Sequence, residues 1–130
     1  MIVVDASLAF EIMLASQRSD VLSDLLLAKG DVLCAPEIIE LELLQTLRRL
    51  VYQGSVTEAL AAQAIDNLND LRIERFSHNP LRRRIWSLRH YLTAYDAAYF
   101  ALAELLEAPL WTLDRKYLSV PGQTAQIEIL

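Results

Sequence analysis

Four acidic positions scattered along the chain are of a type and placing that could do chemistry together: Asp5, Asp96, Asp114, and one glutamate from the run Glu37, Glu40, Glu42. Asp5 closes the β-branched run Ile2-Val3-Val4, and Asp114 follows Leu110-Trp111-Thr112-Leu113. Asp96 stands in the stretch Leu92–Phe100, read as LTAYDAAYF, among small and aromatic neighbours. Each acid has a plainer reading as a helix-terminus residue. Thr93, for example, can cap a helix and place Asp96 at its third position, as in a capping box. A carboxylate there is stabilised by the helix dipole and stays ionised. An ionised, partly buried carboxylate is also what a hard cation needs. Several carboxylates within about 4–6 Å repel one another unless a cation lies between them. Mg2+ or Mn2+ suits an all-oxygen set.

Other chemistries are excluded by what is missing. His78 and His90 are isolated and expected at the surface, and Cys34 is the only cysteine, so there is no zinc pattern. Three glycines cannot build a phosphate-cradling loop, and no nucleophile elbow or Cys/His pair is present. Metal-assisted phosphodiester chemistry or a metal-dependent phosphate switch remains.

The elements that must position these acids alternate. Ile2–Val4 reads as a buried strand, and Asp5-Ala6-Ser7 opens an apolar helix from Leu8 to about residue 16. A second helix is expected over about 19–28, with Val21, Leu22, Leu25 and Leu26 on one face, stopped by Lys29-Gly30-Asp31. Val32–Ala35 is the second strand. Pro36 suits the first turn of a helix running to about Tyr52, which carries the three glutamates near its start. Periodicity does not single out one of them. A further helix begins at Ser55 or Thr57, a short strand is expected within Leu71–Phe76, and a helix from Asn79-Pro80 to about His90. The central helix spans about Ala94–Glu107, Leu110–Leu113 is a strand, and Ile127–Leu130 is a candidate edge strand. Alternating strands and helices predict an α/β fold with a mainly parallel sheet and helices on both faces. Sites in such sheets lie beyond the carboxyl ends of the strands. Asp5 and Asp114 end strands, and Asp96 and the glutamates begin crossover helices, so all share that edge.

At 130 residues, with 54% apolar side chains, the chain reads as one domain, residues 1–130. No apolar run approaches the roughly 18 residues of a membrane helix. The start, MIVVDAS, lacks a basic region and is not expected to be a signal peptide. A single cysteine in the apolar context VLCAP points to a core residue and weakly to a reducing, cytoplasmic setting. The formal charge of −5 is unusual for a nucleic-acid binder, but fits clustered acids neutralised by cations. Basic residues gather at Arg48-Arg49, at Arg82, Arg83, Arg84 and Arg89, and at Arg115-Lys116.

Taken together, VVDAS, APEIIELELLQTLRR, LTAYDAAYFALAE and LWTLDRKYL resemble the PIN domain, in particular the VapC-type toxins of toxin–antitoxin pairs, over nearly the whole chain. The resemblance implies a three-layer α/β/α sandwich with a short sheet of four or five strands. It carries the family's acids onto Asp5, Glu42 (rather than Glu37 or Glu40), Asp96 and Asp114, as metal ligands and catalytic groups, with Ser7 and Thr112 at small hydroxyl positions beside them. It implies Mg2+ or Mn2+, an RNA substrate, a homodimer, and a VapB-type antitoxin that covers the site. The pattern departs at Gln45, where Asn is expected, and at Phe10-Glu11-Ile12, where Lys-Trp is frequent. Arg82, Arg83, Arg84, Arg89 and Arg115 are candidate RNA-backbone contacts that would offset the net charge. The apolar faces of the first two helices and of the helix after Thr57 exceed what a small domain buries, which also predicts a homodimer and an antitoxin groove on helical surface.

Three rivals are weighed. A non-catalytic PIN-like interaction module would have lost one or more acids, and none is lost. A response-regulator receiver needs an acidic pair after its first strand, and only Asp5 is there. A housekeeping RNA-processing nuclease would carry the same site as a toxin, and only the neighbouring gene separates the two.

Overall fold

The computed structural model of the chain describes residues 1–122 and 124–130. Its elements run β1 (Ile2–Val4), α1 (Ala6–Met13), α2 (Gln17–Lys29), β2 (Leu33–Pro36), α3 (Ile39–Tyr52), α4 (Glu58–Asp70), β3 (Ile73–Phe76), α5 (Arg82–Ser87), α6 (Ala94–Leu106), β4 (Leu110–Thr112) and β5 (Ile127–Ile129). Single 3-10 turns cover Asn79–Leu81 and Arg115–Ser119. The five strands form one sheet in the order β3-β2-β1-β4-β5. All four pairings are parallel, so the sheet is parallel throughout rather than mainly so.

That order fixes where function belongs. The chain moves from β1 to β2 and β3 on one side, then returns across the sheet to β4 and β5 on the other. The seam between β1 and β4 is therefore a topological switch point, where the connections leaving neighbouring strands diverge and open a crevice at their carboxyl ends. The seam is short and dry. Val3 pairs with Leu110 and Val4 with Trp111, and every residue of both strands is buried. The next pair along that register is Asp5 and Thr112, both also buried.

Local chemistry explains several helix ends. Asp5 caps α1 by accepting a bond from the Leu8 amide at 3.2 Å. Thr57 caps α4 through the Leu60 amide at 3.1 Å, and Thr93 caps α6 through the Asp96 amide at 3.2 Å. Such caps contribute about 1 kcal/mol each. Gly30, at φ 62°, closes α2 in the left-handed conformation that glycine adopts without strain.

α6 is the central support. It packs on β1, β2 and β4, while α1 packs on β4 and against α2, α3 and α4, so the sheet has helices on both sides. Residues Ala97 to Ala103 of α6 are all buried. Its small residues let the helix lie close to the sheet, and Tyr99 and Phe100 fill the remaining space.

Three details differ from the sequence reading. Pro36 does not open a helix. It is the last residue of β2, paired with Phe76 of β3, and a turn at 37–38 intervenes before α3. The helix expected to reach His90 ends at Ser87, where the Leu88 amide closes the last turn onto Arg84 and Ile85. α1 exposes no large apolar side chain. On the next three helices the exposed ones are Val21, Leu25 and Leu27 of α2, Leu41, Leu44 and Tyr52 of α3, and Leu60 and Ile65 of α4. No helix among the described residues is long and apolar enough to cross a membrane.

Candidate active site

Asp5 is the buried acid at the end of β1, beside the switch point, and is 2% exposed. A buried carboxylate needs hydrogen-bond donors on its oxygens, and Asp5 has them. Oδ1 accepts from the Ser7 hydroxyl at 2.6 Å and the Leu8 amide at 3.2 Å. Oδ2 accepts from the Thr112 hydroxyl at 2.7 Å and, at a longer 3.4 Å, from Tyr117. Thr112 Oγ1 also accepts from the Asp114 amide at 2.9 Å, and Ser7 Oγ accepts from the Leu113 amide at 3.1 Å. The two hydroxyls therefore couple the end of β1 to the loop after β4, and they set where Asp5 and Asp114 stand relative to each other.

Asp114 caps the 3-10 turn Arg115–Ser119, its Oδ1 accepting from the Lys116 amide at 3.0 Å. That amide and the Lys116 ammonium hold the Asp114 carboxyl below its ordinary value against the opposing effect of burial. Asp96 occupies the third position of α6. Its carboxylate goes to the Lys116 ammonium, with Nζ 2.8 Å from Asp96 Oδ1 and 3.2 Å from Asp114 Oδ2. Burial lowers the Lys116 ammonium's affinity for its proton, but Asp96 and Asp114 outweigh it and raise the group above its usual value.

Glu42, in the first turn of α3, is electrostatically coupled to Asp96 and Asp5. It is half-buried, and its Oε1 accepts from the Tyr99 hydroxyl at 2.6 Å. Burial raises the Glu42 carboxyl above the usual range, and Asp96 and Asp5 push the same way against Tyr99 and Lys116. Both tyrosines are held as neutral donors, chiefly by burial and then by the carboxylates beside them. Asp5, Asp96 and Lys116 thus act electrostatically on Glu42, and Asp114 joins the group through Lys116. The other two glutamates do not join it. Glu40 is paired with Arg75 of β3, Nε to Oε1 2.6 Å, and Glu37 lies exposed in the turn before α3.

Oxygen donors around one cationic centre fit a divalent ion of the Mg2+ or Mn2+ class. As the side chains stand, no three His, Cys, Asp or Glu among the described residues are placed to hold one ion together. The Lys116 ammonium, in contact with two of the carboxylates, supplies positive charge at that centre instead.

The candidate RNA contacts divide. Arg84 donates to Glu104 of α6 through Nε at 2.6 Å and Nη2 at 2.8 Å. Arg82 donates to Asn79 at 2.6 Å, and Arg89 lies 4.8 Å over the exposed ring of Trp86. Arg83 and Arg115 are exposed. His78, expected at the surface, is half-buried and accepts from the Ile38 amide at 3.2 Å, tying α3 to the segment after β3; His90 is exposed. The buried Cys34 thiol is pushed up by burial, as a core residue should be.

Three site residues escaped the sequence reading: Tyr99, Tyr117 and Lys116. A signal existed for Tyr99, which follows Asp96 by three and so shares its helix face. Lys116, two residues after Asp114, counted only as one member of a basic pair.

The sequence matches the PIN domain over residues 2–123. The chain belongs to the PIN domain family. Among its relatives are Ribonuclease VapC1 of Mycobacterium tuberculosis, 37% identical over 105 residues (80% of this chain, 79% of the relative), and Ribonuclease VapC12 of the same organism, 32% identical over 130 residues (100% and 99%). Ribonuclease VapC9, also from M. tuberculosis, is 38% identical over 123 residues (95% and 92%). A chain in the crystal structure of VapBC2 from Rickettsia felis bound to a DNA fragment from their promoter superposes with a TM-score of 0.67 at 17% identity, covering 99% of this chain and 98% of that one. At that identity the likeness speaks for the PIN-type fold alone.

Proposed function

We propose that this PIN domain is a metal-dependent endoribonuclease, the toxin of a VapBC-type toxin–antitoxin pair, hydrolysing RNA phosphodiester bonds with Mg2+ or Mn2+. The observation that supports the reading is Lys116 bridging Asp96 and Asp114, with Glu42 electrostatically coupled to Asp96 and Asp5, in a fold whose named relatives are VapC ribonucleases. Asp5, Asp96 and Asp114 would hold the ion, with Glu42 binding it or orienting the attacking water. When bound, the ion would lower the pKa of that water and offset charge on the phosphoryl oxygens.

The chain's own groups do the positioning. Ser7 and Thr112 lock the Asp5 carboxylate by both oxygens. Tyr99 fixes one oxygen of Glu42. Arg83, Arg89 and Arg115 are the more available candidates for the RNA backbone, because the guanidinium of Arg84 is engaged by Glu104.

The reading includes a cytoplasmic homodimer and a VapB-type antitoxin. The apolar groove between α3 and α4, lined by Leu44, Leu47, Val51, Ala61 and Ile65, supports an antitoxin helix as its occupant, and the exposed apolar residues of α2 support self-association. Sedimentation at micromolar concentrations checks the dimer, and a strictly monomeric species counts against it. The activity is tested by incubating purified protein with total RNA in Mg2+, Mn2+ or EDTA and mapping the ends. We expect cleavage only with metal, leaving 5′-phosphate and 3′-hydroxyl ends, because this route bypasses the 2′-hydroxyl. Cleavage that persists in EDTA, or 2′,3′-cyclic phosphate ends, would overturn it.

A further inference from the structure

Lys116 is a cation built into a cluster of acids. Its Nζ contacts Asp96 Oδ1 and Asp114 Oδ2, two of the oxygens assigned above to a divalent ion. The placement is not a loose surface contact. Asp114 holds Lys116 twice, its Oδ1 on the backbone amide and its Oδ2 on the ammonium. The ammonium also lies 5.3 Å from the centroid of the Tyr117 ring, which steadies it by cation–π attraction. The bridge spans two elements, joining the turn after β4 to the first turn of α6.

We propose that Lys116 is a tethered counter-ion that occupies the acidic centre when no metal is bound and is displaced from it by the divalent ion. This rests on the metal-site reading above. The physical reason is competition for the same oxygens. Asp96 and Asp114, which share one ammonium, and Glu42, which is coupled to Asp96 and Asp5, disfavour one another's charge unless positive charge lies among them. An ammonium on a flexible four-carbon stem can supply that charge and can also leave, because it is a compact point charge with no preferred coordination plane. Its side chain is 34% exposed, so a path to solvent is open. A divalent ion brings two charges for one, but it meets carboxylates already partly satisfied. The metal's apparent affinity is then reduced by the fraction of molecules in which the ammonium is withdrawn. If Lys116 sits on the acids in nine molecules of ten, the apparent dissociation constant rises about tenfold. The toxin would thus fold with its acids partly neutralised by its own lysine, and load metal only when the free ion is abundant enough to expel that lysine.

The test is Mn2+ binding without RNA, read from the free-Mn2+ paramagnetic resonance signal, for the wild type, Lys116→Met and Lys116→Arg. Met keeps the apolar stem and removes the charge; Arg keeps the charge. Lys116→Met should bind Mn2+ about tenfold more tightly and lose thermal stability only in the metal-free state. Lys116→Arg should stay near the wild-type affinity. Equal or weaker Mn2+ binding by a folded Lys116→Met would overturn the counter-ion role while leaving the metal site standing. Absence of Mn2+ binding in all three proteins would overturn both. If Lys116→Met does not fold, the Lys116 ammonium can be followed by NMR in the wild type. We expect a slowly exchanging signal in the metal-free protein that is lost on adding Mg2+; a signal indifferent to Mg2+ refutes the displacement.

Discussion

Helix α6 carries two carboxylates in opposite circumstances. Glu104, in the third turn, is matched. Arg84 donates two bonds to it and Thr124 a third at 2.7 Å. Burial pushes its carboxyl up, but the guanidinium and the hydroxyl outweigh that and hold it below its ordinary range. Asp96, in the first turn, shares a single ammonium with Asp114 and feels Glu42 nearby. One planar cation for one carboxylate makes a strut between α5 and α6. One point cation for several carboxylates leaves a centre with more negative charge than the protein itself compensates. On the proposed reading, the difference separates an acid that holds the fold from an acid that would take a metal ion, although both sit on the same helix.

The comparison breaks first at Asp96. Asp96→Asn should cut RNA cleavage by at least about 100-fold, equivalent to about 2.7 kcal/mol of lost barrier reduction. Stability should change by less than about 1 kcal/mol, because the cap is Thr93 and the pair with Lys116 is partly exposed. Cleavage rates at limiting Mg2+, set beside urea denaturation, check both numbers. Near wild-type cleavage would return Asp96 to the status of an ordinary helix-start acid.

A smaller effect is expected where the coupling hydroxyl is removed. Thr112→Val leaves the buried Asp5 Oδ2 and the Asp114 amide without their shared partner. We expect a loss of about 1–3 kcal/mol in stability and about tenfold in metal affinity or cleavage. Thr112→Ser should recover most of both. If Val and Ser behave alike, the hydroxyl does not position the acids.

The smallest effect belongs to the strut. Arg84→Met should destabilise by about 1 kcal/mol at neutral pH, the pair being partly screened. Cleavage and RNA affinity per folded molecule should not change. Because the folded-state Glu104 carboxyl lies below its ordinary value of 4.5, the contribution is complete above that pH and is lost as pH falls through the lower folded value. The stability gap between wild type and Arg84→Met should therefore close on acidification below about pH 4.5, measured by denaturation across pH. A drop in RNA affinity instead would make Arg84 a backbone contact and erase the contrast between the two ends of α6.

Much of this arrangement is written locally. A β-branched run ending in an acid makes β1 and its cap, because the side chains of Ile2, Val3 and Val4 favour a doubly buried strand and Asp5 favours the helix start that follows. Thr93, three residues before Asp96, is enough to place that acid in the first turn of α6. Alternating strands and helices imply a parallel sheet, and in a parallel sheet strand ends and the helix starts that follow them share one edge. None of these steps needs a contact between distant residues.

The remaining features depend on such contacts. Glu37, Glu40 and Glu42 are alike in sequence, and only the facing of α3 distinguishes them. Pro36 stays in β2, the intervening turn rotates the helix, Glu40 meets Arg75 of β3, and Glu42 meets Tyr99 from 57 positions away. Arg84 and Lys116 look equally free as sequence, yet one is committed to Glu104 and the other to two acids at the crevice. Propensity and periodicity describe a residue's relation to its neighbours within a few turns of chain. Which cation faces which carboxylate is decided by how helices pack across a sheet, since an ion pair depends on distances in space that only the folded layers set.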